Sequence, residues 1–294
     1  MESASLITKL ILKALAYDDF PEKIYHYTSS EGLLGIVKSK ELHLTDFMYL
    51  NDPQEIQHGL EIVRKLILDT AHEKKENTPE QQTLRKFLWT LDSNILKTGD
   101  RLSHDSIFIS CFCENGDLLS QWKGYSNFGA GFSIGFNTEN IVNKTNDDMF
   151  LIFSKVIYDE QAKKKVINEL LNAFITTPIL VKPNGDFHEE TVLLIISILY
   201  TFCVFFKDES FSEENEWRLV YFPFSRLVDT KSVDFKSSHD GIIPFYKFKL
   251  DTKLSEINSV IIGPKYSYRH NLKSLNLLLK EYDINIVNSK ILLK

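Results

Sequence analysis

Much of what marks the common functional classes is scarce in this chain. Cysteine occurs at three positions, Cys111, Cys113 and Cys203, and their spacing forms neither a zinc motif nor a disulfide framework. Cys111 and Cys113 lie two apart in "IFISCFC", so a strand points both the same way as Ile107 and Ile109, and buried core thiols are expected. Basic residues are not in excess: 34 Lys and Arg stand against 40 Asp and Glu, a net charge of -6. A broad cationic face and strong nonspecific nucleic-acid binding are therefore not expected. The longest apolar run, "TVLLIISILYTFCVFF" (Thr191 to Phe206), falls short of the roughly 20 residues that span a bilayer. Ser197, Tyr200 and Thr201 interrupt it, so the expectation is a buried helix and no membrane partner. The first twenty residues lack a secretory-signal layout and suggest a short amphipathic helix, and a cytoplasmic location is expected.

Aromatics are plentiful, with 21 Phe and 12 Tyr, which points to a well-filled interior and argues against disorder. "KIYHYT" predicts a first strand, Thr28 and Glu31 a capping box for the helix "EGLLGIVKSK", and "ELHLTDF" a second strand. Asp52, Pro53 and Glu55 predict the start of a helix whose Ile56, Leu60, Val63 and Ile67 form its apolar stripe. Further helices are expected over 80–97, about 161–176 and about 189–206. "SIFISCFC", "GAGFSIGFN", "FLIFSKVIYD", "EWRLVYF", "IPFYKFKL", "INSVIIG" and "INIVNS" predict strands, with a last helix in "YRHNLKSLNLLLKEY". Strands come early and late with helices between them, an α+β pattern. No linker divides the chain, so one domain over 21–294 is expected after a helix over 1–20, with helical insertions near 53–97 and 161–206.

Three stretches could carry chemistry. In "IYHYTSS", His26 sits mid-strand beside Tyr27 and Thr28 at a helix N-terminus; a satisfied structural histidine is one reading, and a donor to a ligand hydroxyl is the other. "ENGDLLSQWKGYSNFGAGFSIGF" concentrates glycines around Gln121, Trp122, Tyr125 and Phe128, without the spacing of a P-loop or a dinucleotide fingerprint. A glycine-rich loop lining a pocket is one reading; a hairpin connection over core aromatics is the other. In "FSEENEWRLVYF", period-2 alternation puts Glu216, Arg218 and Val220 on one face and Trp217, Leu219 and Tyr221 on the other. Glu216 and Arg218 could merely pair. Over a pocket, Glu216 could instead stabilise positive charge at an anomeric carbon. Glu213 reads as a solvated turn residue.

The series "YHYTSSEGLLGIVKSKELHLT", "YLNDPQE", "CFCENGDLLSQWKGYSNFGAGFSIGF", "FSEENEWRLVYF" and "VIIGP" resembles the bacterial domain of unknown function 2971 family. The strand with His-x-Thr and the helix after it are more distantly similar to ADP-ribosyltransferase toxins. That resemblance implies a split, mostly antiparallel β core with helical insertions and NAD as a substrate. It implies that His26 holds NAD together with Tyr27, Thr28 and Gln121, and that Tyr125 or Trp122 stacks on nicotinamide. Glu216 would be catalytic with Arg218 beside it, and Glu214 would orient the acceptor, whose identity is left open. A toxin or anti-phage effector is the implied setting. Two other classes compete: a nuclease whose Asp46, Asp52, Glu55 and Glu216 gather a divalent metal, and a non-catalytic domain that binds a nucleotide or a protein.

Overall fold

A computed structural model describes residues 19–50, 54–97, 107–126, 128–146, 148, 150–176, 199, 201–222, 233–238 and 241–292. The helix expected over 1–20 and the cap expected at Asp52 and Pro53 lie outside these residues. So do the side chains of Glu55 and Ile56 and most of the helix expected near 189–206.

Short alternating segments make the strands. β1 (Lys23–Thr28) leads into α1 (Ser30–Ser39) and back along β2 (Glu41–Asp46). The α1 cap is Ser29, whose hydroxyl accepts from the Gly32 N–H at 3.1 Å. This corrects the expected cap by one residue. Ser29 holds the extended backbone an N-cap requires, and Thr28 is left as the last strand residue. Next come α2 (Gln54–Glu73), α3 (Pro79–Lys97) and β3 (Phe108–Cys113). The glycine-rich stretch departs from expectation, because its first part is a helix, α4 (Leu119–Tyr125), and not a loop. β4 (Phe132–Asn137), α5 (Thr138–Asn146), β5 (Leu151–Lys155) and α6 (Glu160–Thr176) follow. A 3-10 segment, Glu209–Glu214, precedes β6 (Glu216–Tyr221). The chain then runs through β7 (Val233–Ser238), β8 (Gly241–Lys249), β9 (Ile257–Ile262), α7 (Tyr268–Leu278) and β10 (Asn285–Asn288).

The strands form one open sheet in the order β10-β9-β4-β1-β3-β2-β8-β7, with β6 paired to β3 and β5 to β6. β10 and β9 are parallel; the other pairings are antiparallel. The architecture is therefore α+β with a mostly antiparallel sheet. One face carries Leu33, Ile36 and Val37 of α1, Ile141 of α5 and Leu275 of α7 against Phe112, Phe136, Trp217 and Leu219. The other packs Leu60, Val63 and Ile67 of α2, Phe87 of α3 and Ile167 of α6 against Ile109, Ile152 and Val220. Each of these side chains contributes roughly 1.5–3 kcal/mol on burial.

β3 has one edge fully paired with β6, from Phe108 opposite Tyr221 to Cys113 opposite Glu216. Its other edge is shared. β2 takes the beginning, with Thr45 opposite Ile109, and β1 takes the end, with Tyr25 opposite Cys113. Between these contacts β1 and β2 part, and a cleft opens along Ser110–Phe112.

Among the described residues no helix is long and apolar enough to cross a membrane.

Candidate functional site

The cleft has a volume of about 680 Å³ and shares His26, Cys111, Tyr125 and Glu216 with a smaller recess of about 60 Å³. That is within the roughly 300–1,000 Å³ usual for small-molecule sites. Residues far apart in sequence meet there. Thr28 and Arg218 line the larger cavity, and Tyr27, Gln121 and Glu214 line the smaller one.

At the wall formed by β6, the backbone turns at Asn215, which adopts φ 42, a left-handed geometry that Asn tolerates better than most residues. Glu216 then starts the strand. Its carboxylate, 5% exposed, is gripped by Arg218, 2% exposed. Arg218 Nε donates to Oε1 at 2.6 Å and Nη2 to Oε2 at 3.0 Å, while Nη1 donates to the Val204 carbonyl at 2.5 Å. Lys207 Nζ donates to Glu216 Oε2 at 3.0 Å and to Glu214 Oε2 at 2.7 Å. The pairing foreseen for Glu216 and Arg218 is thus real, and it is buried at the cleft wall.

Burial pushes the Glu216 carboxyl up, but the Arg218 guanidinium, its hydrogen bonds and Lys207 outweigh this and hold it at about 2, against 4.5 for an ordinary glutamate. A depressed carboxylate stabilises the fold fully above its unfolded value and loses that contribution as pH falls toward its folded value. The difference corresponds to about 3 kcal/mol. Urea unfolding is expected to show this loss between pH about 4.5 and about 2, and Glu216→Gln should remove this part of the pH dependence.

His26 and Glu216 line both cavities from strands on opposite sides of β3. Its Nδ1 lies 2.9 Å from the Cys111 carbonyl, so Nδ1 carries the proton and fills part of the unpaired β3 edge. Burial lowers the imidazole pKa, the Cys111 carbonyl opposes this, and Lys236 adds to it. The ring is therefore neutral at pH 7 and Nε2 is an acceptor. The bond to Cys111 is what the structural reading of His26 expects, and a neutral Nε2 accepts where the other reading had the ring donate.

Tyr125 is partly exposed at the last turn of α4 and lines both cavities. Trp122 lies elsewhere. It is fully buried, packs edge-on to Tyr27 at 4.9 Å, and donates Nε1–H to Asp117 at 2.7 Å. Neither cavity is lined by it. Tyr27 is buried too, its hydroxyl joining the Asn115 carbonyl and the Leu118 N–H, both at 2.8 Å. Glu213 is exposed and accepts from Ser120 at 3.0 Å, as a turn residue would.

Asp117 fastens this wall. Besides Trp122 it accepts from the Ser289 hydroxyl at 2.6 Å and the Lys290 N–H at 2.7 Å, tying α4 to the segment after β10. Asp117→Ala is expected to lower stability by about 2 kcal/mol in urea unfolding, because the buried indole N–H loses its acceptor.

Residues 121–219 match the family model described as Protein of unknown function (DUF2971). The match supports that family. It runs from within α4 through most of β6, with Gln121, Tyr125, Glu214, Glu216 and Arg218, and His26 lies outside it. No curated protein and no solved structure matches the chain.

The sequence reading missed Lys207, Cys111 and Ser110 as lining residues, and with them the polar face of β2. Lys207 had no motif, and its role depends on the segment before β6 folding back on the strand. Asp46, a candidate metal ligand, caps a 3-10 turn by accepting from the Met48 N–H at 3.0 Å. Among the described residues no group of three His, Cys, Asp or Glu could hold a metal ion.

Proposed function

We propose that this chain is an ADP-ribosyltransferase-like protein that binds NAD as a substrate in the cleft and transfers ADP-ribose to a macromolecule or to water. The observation that carries the reading is that His26, Tyr125 and Glu216 line the same two cavities. These are the residues to which the distant resemblance assigns binding, stacking and catalysis. Tyr125 offers the accessible ring for nicotinamide, a role unsuited to the buried Trp122.

In the reaction, the bond between ribose C1′ and the nicotinamide nitrogen breaks and its electron pair leaves with nicotinamide. The C1′ cation is captured by an acceptor oxygen, whose proton passes to solvent. A fixed anion at the cleft wall favours the developing positive charge, and Glu216 is such an anion at every physiological pH. Its lone pairs are engaged by Arg218 and Lys207. A ribose hydroxyl that reaches Glu216 shares the carboxylate with these two donors, Lys207 being the one it displaces more readily because Arg218 binds with two nitrogens.

A second reading, a nucleotide-binding domain without turnover, draws on the same clamp, because Arg218 and Lys207 compete with any substrate for the carboxylate. The clamp also weighs against the nuclease, since a carboxylate already neutralised by two cations attracts a divalent ion weakly. Incubation with NAD, with and without cell lysate as a source of acceptor, separates the first two readings. Nicotinamide release seen by mass spectrometry supports the transferase, and NAD binding without release in either condition supports the binding domain.

A further inference from the structure

The wall opposite His26 is built from β2, β8 and β7. Alternation along β2 leaves Glu41, His43 and Thr45 on the accessible face. The His43 ring stacks on Phe245 with centroids 3.9 Å apart, and Lys236 Nζ lies 5.9 Å from the centroid of the Phe245 ring. Lys236 donates to the Thr45 hydroxyl at 3.0 Å, which aims a half-buried ammonium into the cleft. Among the described residues no carboxylate pairs with it. Glu41 instead approaches His43 at 4.0 Å, and Asp234 pairs with Lys247. The charge of Lys236 reaches the cleft, since it disfavours protonation of both His26 and His43. Nearby on the unpaired β3 edge, Ser110 is 4% exposed and its hydroxyl has no hydrogen-bond partner among the described residues. A cation with no counter-ion among the described residues, in a cleft that also presents a buried hydroxyl unpaired among them, is suited to an anionic ligand group.

We propose that Lys236, oriented by Thr45, binds a phosphoryl group of the nucleotide that occupies the cleft. The nucleotide itself rests on the function proposed above; the phosphate subsite rests on the geometry of Lys236, Thr45 and Ser110. Its chemistry is recognition and involves no bond-making.

The test is isothermal titration calorimetry of the full chain at low salt with ADP, inorganic pyrophosphate and adenosine, using wild type, Lys236→Ala, Lys236→Arg and Thr45→Val. Circular dichroism and thermal melting confirm that each variant is folded. ADP is expected to bind the wild type at least about tenfold more tightly than adenosine, and Lys236→Ala to weaken ADP about tenfold or more while leaving adenosine unchanged. Lys236→Arg keeps the charge and should stay within about threefold of wild type, and Thr45→Val should cost a few-fold. Equal ADP affinity in folded Lys236→Ala, or no ADP binding by the wild type, overturns the proposal. Pyrophosphate binding as tightly as ADP overturns its assignment to a nucleotide. Lys236-dependent ADP binding in a protein that never releases nicotinamide leaves the phosphate subsite standing and rejects the NAD-cleaving reading.

Discussion

Arg218→Met is expected to lower the unfolding free energy by about 3–5 kcal/mol, measured by urea denaturation near neutral pH. The side chain is almost wholly buried and binds Glu216 with two of its nitrogens. Methionine fills a similar volume but leaves a buried carboxylate facing Lys207 alone, and leaves the Val204 carbonyl without the guanidinium. The loss is that of an uncompensated buried charge, not that of a surface ion pair, which is worth about 1 kcal/mol or less. A double variant, Glu216→Met with Arg218→Met, should recover most of the loss, because Lys207 keeps Glu214 and no carboxylate is stranded. Equal stability of the single variant and wild type would mean that Glu216 relaxes into water, and the cleft wall would then be softer than its geometry implies.

How much of this was legible beforehand depends on the range of the interaction. The pairing of Glu216 with Arg218 and the opposite facing of Trp217 and Leu219 follow from period-2 alternation in "EWRLVY", and the structure keeps them. The stripe Leu60, Val63 and Ile67 needed helical spacing alone, and all three are buried. Errors arose where tertiary contacts override local signals. "LSQWKGY" looked like loop because it sits in a stretch rich in glycine. It is helical because Trp122 is drawn into the core beside Tyr27, while the bend falls just after it, at Gly129 with φ 88 and at Gly131, where a Cβ would stand 2.4 Å from the Thr28 carbonyl oxygen. Phosphate recognition by Lys236 could not be foreseen, since β7 itself was not predicted and the lysine's meaning depends on β2 and β8 lying beside it. Lys207 was hidden for the same reason.

Glu216→Gln is expected to lower nicotinamide release about 10²–10³-fold, an effect of the size seen when a preorganised electrostatic stabiliser is removed. Gln keeps the length and accepts from Arg218 through its carbonyl oxygen, but cannot offset the charge that develops at C1′. Arg218 and Lys207 then stand as cations beside the reacting ribose, so the variant should be worse than one with an empty wall. The double variant Glu216→Met with Arg218→Met supplies that comparison, and is expected to lie between Glu216→Gln and wild type. Because Gln also leaves two cations less compensated, part of any loss could come from unfolding. Rates are therefore compared at a temperature where circular dichroism shows each variant folded, and ADP affinity serves as a second readout that loss of the Glu216 charge should leave within a few-fold. Folded Glu216→Gln releasing nicotinamide at the wild-type rate would remove Glu216 from the chemistry and leave it as the anchor of a buried ion cluster.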